Sequence, residues 1–169
     1  AGLAHVRGGD TNETLVILDG LPLYEPFHLR MLQSPSSVLD ERIVEGLDVF
    51  AGGFTAEYGD RMSAIIDART LRPAADAYYE LGFSLIHANA LASQKFADGR
   101  GQWLTSFRRS NLDEVADIME SEIGESSYLD GFARVDFAWS PDTRGSLQTL
   151  LARDQAEITN PAGTEHATA

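Results

Sequence analysis

The chain has no cysteine among its 169 residues. Disulfides and thiolate metal sites are excluded on that ground alone. Basic residues are also scarce, 13 against 26 acidic ones, for a formal net charge of −13. A nucleic-acid binder needs a basic footprint, so no nucleic-acid partner is expected. No apolar run approaches the ~18 residues of a membrane helix. Membrane strands stay open, because a strand crosses with ~9–11 residues of which only every second need be apolar. The opening AGLAHVRGGD has neither the basic start nor the apolar stretch of a secretory leader. The first residue is not Met, and the closing NPAGTEHATA suits no structural element. The chain is therefore expected to be a piece of a longer protein. Its length still permits a real core, since ~150 residues bury roughly 68–70% of their surface.

What is present falls into two halves, 1–72 and 73–169. The first is short-period, irregular and glycine-rich. TLVILDG reads as a buried strand and a turn. QSPSSVLDE reads as a short helix, with Ser34 as its cap and Pro35 at its first position. RIVEGLDVFAGGF reads as a strand that breaks at Gly52-Gly53, and SAIIDART as another. Strands mixed with a short helix predict a small α/β domain.

From Ala77 the pattern becomes alternation. Tyr79, Leu81, Phe83 and Leu85 fall on one side, Glu80, Gly82 and Ser84 on the other. Trp103, Thr105 and Phe107 oppose Gln102, Ser106 and Arg108; Leu129 to Trp139 and Leu147 to Leu151 repeat the pattern. Period two over several segments predicts antiparallel strands with one apolar and one polar face. A soluble sandwich and a membrane wall both fit that pattern. Loop lengths favour the wall: ADGRG and SPDTRG are tight, DEVADIMESEIGESSY is long and acidic, and HANA reads as a tight hairpin at the far end. The acidic run lacks the spacing of a calcium loop, and His5, His28, His87 and His166 lack metal-ligand spacing, so no metal or other cofactor is expected.

Asp19-Gly20 ends the first strand. An aspartate there serves as a nucleophile in some hydrolases, with Asp67 a second candidate, but Asp-Gly between short apolar pieces is also a common hairpin turn. Neither a neighbouring acid, a base nor a metal cluster is apparent, so the turn is the expected role.

The order of motifs resembles that of TonB-dependent outer-membrane receptors. The matching residues are Arg7-Gly8, the strand into Leu18-Asp19-Gly20 and Pro22, the acidic-apolar strand from Asp48 to Gly52, and Tyr58-Gly59, followed by alternating strands. PLYEPFHL and WLTSFRRSNLD are similar to a subgroup that often carries a carboxypeptidase-regulatory-like domain at its N-terminus. The usual basic residues after Val49 are replaced by Phe50-Ala51. The resemblance implies an α+β plug domain in 1–72 and, in 73–169, about five strands of a transmembrane β-barrel that in the family has 22 strands around a plugged lumen.

The implied function is active import across the outer membrane of a Gram-negative bacterium, without enzymatic chemistry. The implied partners are the TonB–ExbB–ExbD complex, outer-membrane lipid, and a small or oligomeric ligand such as a siderophore, cobalamin, glycan or peptide. Arg7 and Asp48 would make polar contacts between plug and barrel. Tyr24, Phe27 and His28 would face the ligand. Parity and strand direction together place Tyr79, Trp103 and Trp139 in one aromatic band at a membrane interface. Arg108 would face the lumen and Arg109 the outer rim. The alternative from a different class is a soluble β-rich binding or adhesion domain.

Overall fold

The computed structural model describes residues 13–29, 36–53, 58, 63–111, 126–160 and 163–168, with 157–160 and 163–168 described by backbone alone. The chain divides into two units at Leu71/Arg72.

In the first unit the run TLVIL forms β1 (Thr14–Leu18), buried at every position. An uninterrupted apolar strand needs cover on both faces, so it takes an interior place. It lies between β2 (Leu21–Leu23), antiparallel to it, and β4 (Ala64–Thr70), parallel to it; β3 (Val44–Phe50) pairs antiparallel with β4 at the edge. Leu15, Ile17 and Ile65 form a core cluster against which Tyr58 packs.

The second unit is a six-stranded antiparallel meander. Its strands are β5 (Ala77–Phe83), β6 (His87–Phe96), β7 (Gly101–Ser110), β8 (Ser127–Ser140), β9 (Thr143–Asn160) and β10 (Gly163–Thr168). They stand in chain order from β10 to β5, each paired to the next.

These observations correct the expected fold class. Among the described residues there is no α-helix, and the architecture is two β-sheets rather than an α+β unit followed by a barrel. The six-stranded sheet is open, with β5 and β10 as its edges, and does not close on itself. The predicted helix over QSPSSVLDE is replaced by extended chain and bends. Ser34 and Pro35 lie outside the described residues. Ser37 instead pairs with Phe27 in an isolated bridge. Its hydroxyl donates to the Pro26 carbonyl at 3.1 Å and accepts from the Leu39 amide at 3.1 Å. A serine that captures nearby backbone groups competes with helix formation. Only a single 3₁₀ turn follows, Glu41–Ile43, capped by Asp40, whose carboxylate accepts from the Arg42 amide at 3.1 Å.

The hairpin expected at HANA is also displaced. His87–Ala90 lie inside β6, and the chain reverses at Ser84–Ile86. The Ser84 hydroxyl accepts from the amides of Ile86 at 3.2 Å and His87 at 3.0 Å, which fixes the reversal there.

Candidate functional site

Strand alternation sends successive side chains of the second unit to opposite faces. The register lines up one face in rows: Leu81, Ala90, Phe107, Gly131 and Leu151 across five strands, then Ala77, Gln94, Trp103, Val135 and Leu147. This face is apolar and open. Leu81 is 87% exposed, Phe83 83%, Leu147 76% and Leu151 67%. Monomers in water rarely expose a contiguous apolar surface of this kind.

The opposite face is the buried one, and it carries the charges. Arg108 and Asp130 sit directly opposite one another on β7 and β8. The Arg108 Nε donates to Asp130 Oδ2 at 3.0 Å and Nη2 to the same oxygen at 2.7 Å. The guanidinium also lies over the Tyr128 ring, 5.4 Å from its centre. Arg134, likewise buried, holds Asp136 two residues along the same strand, Nη2 to Oδ1 at 2.8 Å. Ser93 and Ser106 share this face with Leu91, Leu104 and Phe132, all buried. The second unit is thus inverted relative to a sheet that buries its apolar side.

At the end of the sheet that carries the turns 97–100 and 141–142, aromatic rings gather on the apolar face. Phe96 stacks on Phe137 with ring centres 6.0 Å apart, and Trp139 meets Phe137 edge-on at 5.4 Å. Glycines make the room. A Cβ on Gly101 would lie 2.3 Å from the Phe96 ring, and one on Gly145 2.7 Å from the Trp139 ring. Rings laid over strand glycines cover backbone that would otherwise be bare.

The expected interface residues distribute as follows. Trp103 and Trp139 stand on the apolar face toward the turn end, and Trp139 is 63% exposed. Tyr79 is on the same face, 66% exposed, but in the row of Ala92 and Thr105, one row farther from the turns than Trp103. Phe96 and Phe137 join the band without having been singled out by sequence. The signal available for them was a glycine just beyond each tight turn, Gly101 and Gly145.

Asp19 and Gly20 form the β1–β2 turn, with φ of 46° and 84°. Positive φ at both central residues is the type I′ hairpin that Asp-Gly favours. The Asp19 carboxylate also anchors the end of β4, accepting from the Thr70 amide at 3.2 Å and from the Thr70 hydroxyl. Asp67 lies within β4, opposite Ile17 and Asp48. Among the described residues no group of three or more metal-ligating side chains is found.

Arg7 lies outside the described residues. Asp48 pairs with Arg69 of the neighbouring strand β4, both about half exposed. The hydrogen bond that Arg69 donates to Asp48, and then the charge of Asp48, raise the pKa of the Arg69 guanidinium above its ordinary value. Tyr24, Phe27 and His28 are not brought to one surface. Tyr24 is 76% exposed, Phe27 is half-buried in its bridge to Ser37, and His28 is wholly buried, its amide donating to the Ser36 carbonyl at 2.8 Å. Arg109 is exposed beside Ala88 and Leu129. The acidic run 113–125 lies outside the described residues.

Comparisons with protein-family models, with curated proteins and with solved structures find no match to this chain.

Proposed function

We propose that the chain is part of a TonB-dependent outer-membrane transporter. In this reading the six-stranded sheet lies in the bilayer with its apolar face to lipid and its charged face turned inward. The unit before it acts as the plug on which the TonB–ExbB–ExbD complex pulls. A scarce ligand, of the siderophore, cobalamin, glycan or peptide kind, binds on the outer side and passes to the periplasm. Binding and conformational change do the work, with no bond made or broken and no cofactor.

The observation that carries this reading is the inverted second unit. Leu81, Phe83, Leu147 and Leu151 are open while Arg108, Asp130 and Arg134 are buried. In water that arrangement exposes apolar surface at roughly 25 cal/mol per Å². Against lipid the same surface is matched to its surroundings, and the ion-paired face avoids hydrocarbon, where an unpaired charge costs several kcal/mol. The order of motifs from Arg7 to Tyr58 adds the link to TonB.

Two measurements test it. Fractionation of cells producing the intact protein should recover it in the outer membrane, extracted by detergent and not by salt. A strain lacking the gene should lose growth on one limiting iron, cobalamin or carbon source, and a strain lacking TonB should share that defect. Recovery in a soluble fraction would favour a β-rich binding or adhesion domain instead.

A further inference from the structure

A second feature of the six-stranded unit is independent of the transport reading. At the turn end, a cleft of about 600 Å³ is lined by Arg72, Arg100, Arg134 and Arg144, with Asp136 as its one carboxylate among the described residues. Four of the chain's 13 basic residues thus meet one of its 26 acidic residues in a protein of net charge −13. In so acidic a chain, carboxylates to neutralise these arginines were plentiful, and among the described residues the cleft has only one.

That one is already engaged. Asp136 is held by Arg134 through Nε at 2.9 Å and Nη2 at 2.8 Å. Among the described residues no carboxylate pairs with Arg72, Arg100 or Arg144. The arginines are nevertheless placed by the fold. Gln102 Nε2 donates to the Pro73 carbonyl at 3.1 Å, and the Lys95 amide to the Asp76 carbonyl at 2.8 Å, so the segment after Arg72 is tied to the sheet. The Arg100 carbonyl accepts from the Ala138 amide at 2.8 Å, and its guanidinium lies over the Phe137 ring at 5.7 Å. The backbone of Arg144 is set opposite Ala138 by the strand register.

We infer that this cleft is an anion site that takes a phosphate group. Guanidinium forks match the oxygens of phosphate in pairs, and several converging on one concavity give both charge and geometry. Buried Arg134 and its partner Asp136, about a third exposed, form the floor, and Arg72 and Arg144 supply the net positive charge. The same phosphate chemistry is offered by a free phosphorylated solute and by a phospholipid headgroup, and the test separates the two.

The full chain in nonionic detergent is titrated calorimetrically with inorganic phosphate, and separately with micelles doped with phosphatidylglycerol or phosphatidylcholine. A free-phosphate site gives saturable binding that weakens roughly tenfold in Arg144→Gln and is lost in Arg72→Gln/Arg144→Gln. A headgroup site gives no phosphate signal but a phosphatidylglycerol preference that the double variant abolishes. Arg144→Lys, which keeps the charge but loses the fork, binds more weakly than the native chain and more tightly than Arg144→Gln in either case. Circular dichroism and thermal melting check that each variant is folded. Absence of binding in both arms, or binding of unchanged strength in the folded double variant, overturns the inference.

Discussion

Arg108 and Asp130 face each other across β7 and β8, joined through Nε at 3.0 Å and Nη2 at 2.7 Å, and both are nearly inaccessible to water. A buried pair of this kind is more costly to break than it is valuable to have, because removing one partner takes from a buried charge the opposite charge placed to meet it. Arg108→Gln and Asp130→Asn are each expected to destabilise the protein by about 3–5 kcal/mol. The double variant should cost less than the sum of the two. Denaturant unfolding in detergent checks this, and additive losses would show that the two charges do not depend on each other.

The β1–β2 turn makes a contrast between structural and catalytic roles measurable. Gly20 has φ of 84°, where a β-branched residue is strained, so Gly20→Val should cost about 1–3 kcal/mol and lower cellular abundance. Asp19→Ala should also destabilise, by about 1–3 kcal/mol, through the hydrogen bonds from the Thr70 amide and hydroxyl that it removes. Asp19→Asn keeps an acceptor and tolerates positive φ, so it should cost less than Asp19→Ala. Intact abundance with abolished activity in Asp19→Asn would assign the aspartate a chemical role instead.

Sequence and structure agree best where the period is local. The alternation from Tyr79 to Phe83 and from Leu129 to Trp139 assigns each side chain to a face, because two residues per repeat is a property of the strand itself, whereas Leu85 falls in the reversal after β5. Ser84 was legible as a polar residue but not as the hub of a reversal, since HANALA offers small residues that suit strand and turn alike. The helix over QSPSSVLDE failed for a related reason: Ser37 bonds to Pro26, 11 residues away, and no helical period reveals that contact. Arg108 with Asp130, and Phe96 with Phe137, depend on register across hairpins. Twenty-two residues separate the first pair, with a long acidic connection between them. The arginine cleft likewise joins positions as far apart as 72 and 144, so its members looked like unrelated surface charges in the sequence.

The glycines beneath the aromatic rings give a further test. Gly145→Ala puts a methyl 2.7 Å from the Trp139 ring and Gly101→Ala puts one 2.3 Å from the Phe96 ring. Overpacking of this kind costs about 1–3 kcal/mol, less where the ring swings aside. In a Trp103→Phe background, Trp139 emission should shift in Gly145→Ala as the ring leaves its seat. An unchanged spectrum and unchanged melting together would mean that the ring does not rest on Gly145.

Outside a membrane, the chain expressed alone should not remain monodisperse. Its six-stranded sheet has two free edges, β5 and β10, and an open apolar face. Free edges template pairing with other chains, and exposed apolar patches drive association. Production in water should therefore yield aggregates, with a folded species recovered only in detergent. A cooperatively melting monomer in detergent-free buffer, seen by sedimentation, would count against the lipid-facing reading and for a soluble domain.

The two tryptophans should share one depth in the bilayer. Trp103 follows the turn 97–100 and Trp139 precedes the turn 141–142, so both lie near the same end of neighbouring strands. Both stand on the apolar face, and Trp139 is packed edge-on against Phe137. An indole is most stable where its ring meets hydrocarbon and its N–H reaches water, which is the bilayer interface. In liposomes containing brominated lipids, Trp103→Phe and Trp139→Phe variants isolate one emitter each. Each should be quenched more by bromine near the headgroups than by bromine near the bilayer centre, and to a similar degree. Tyr79, one row deeper, predicts a third depth: in Tyr79→Trp with both native tryptophans replaced, quenching should move toward the bilayer centre. A native tryptophan that no lipid quenches would face away from the hydrocarbon, and the assignment of the apolar face to lipid would fail at that strand.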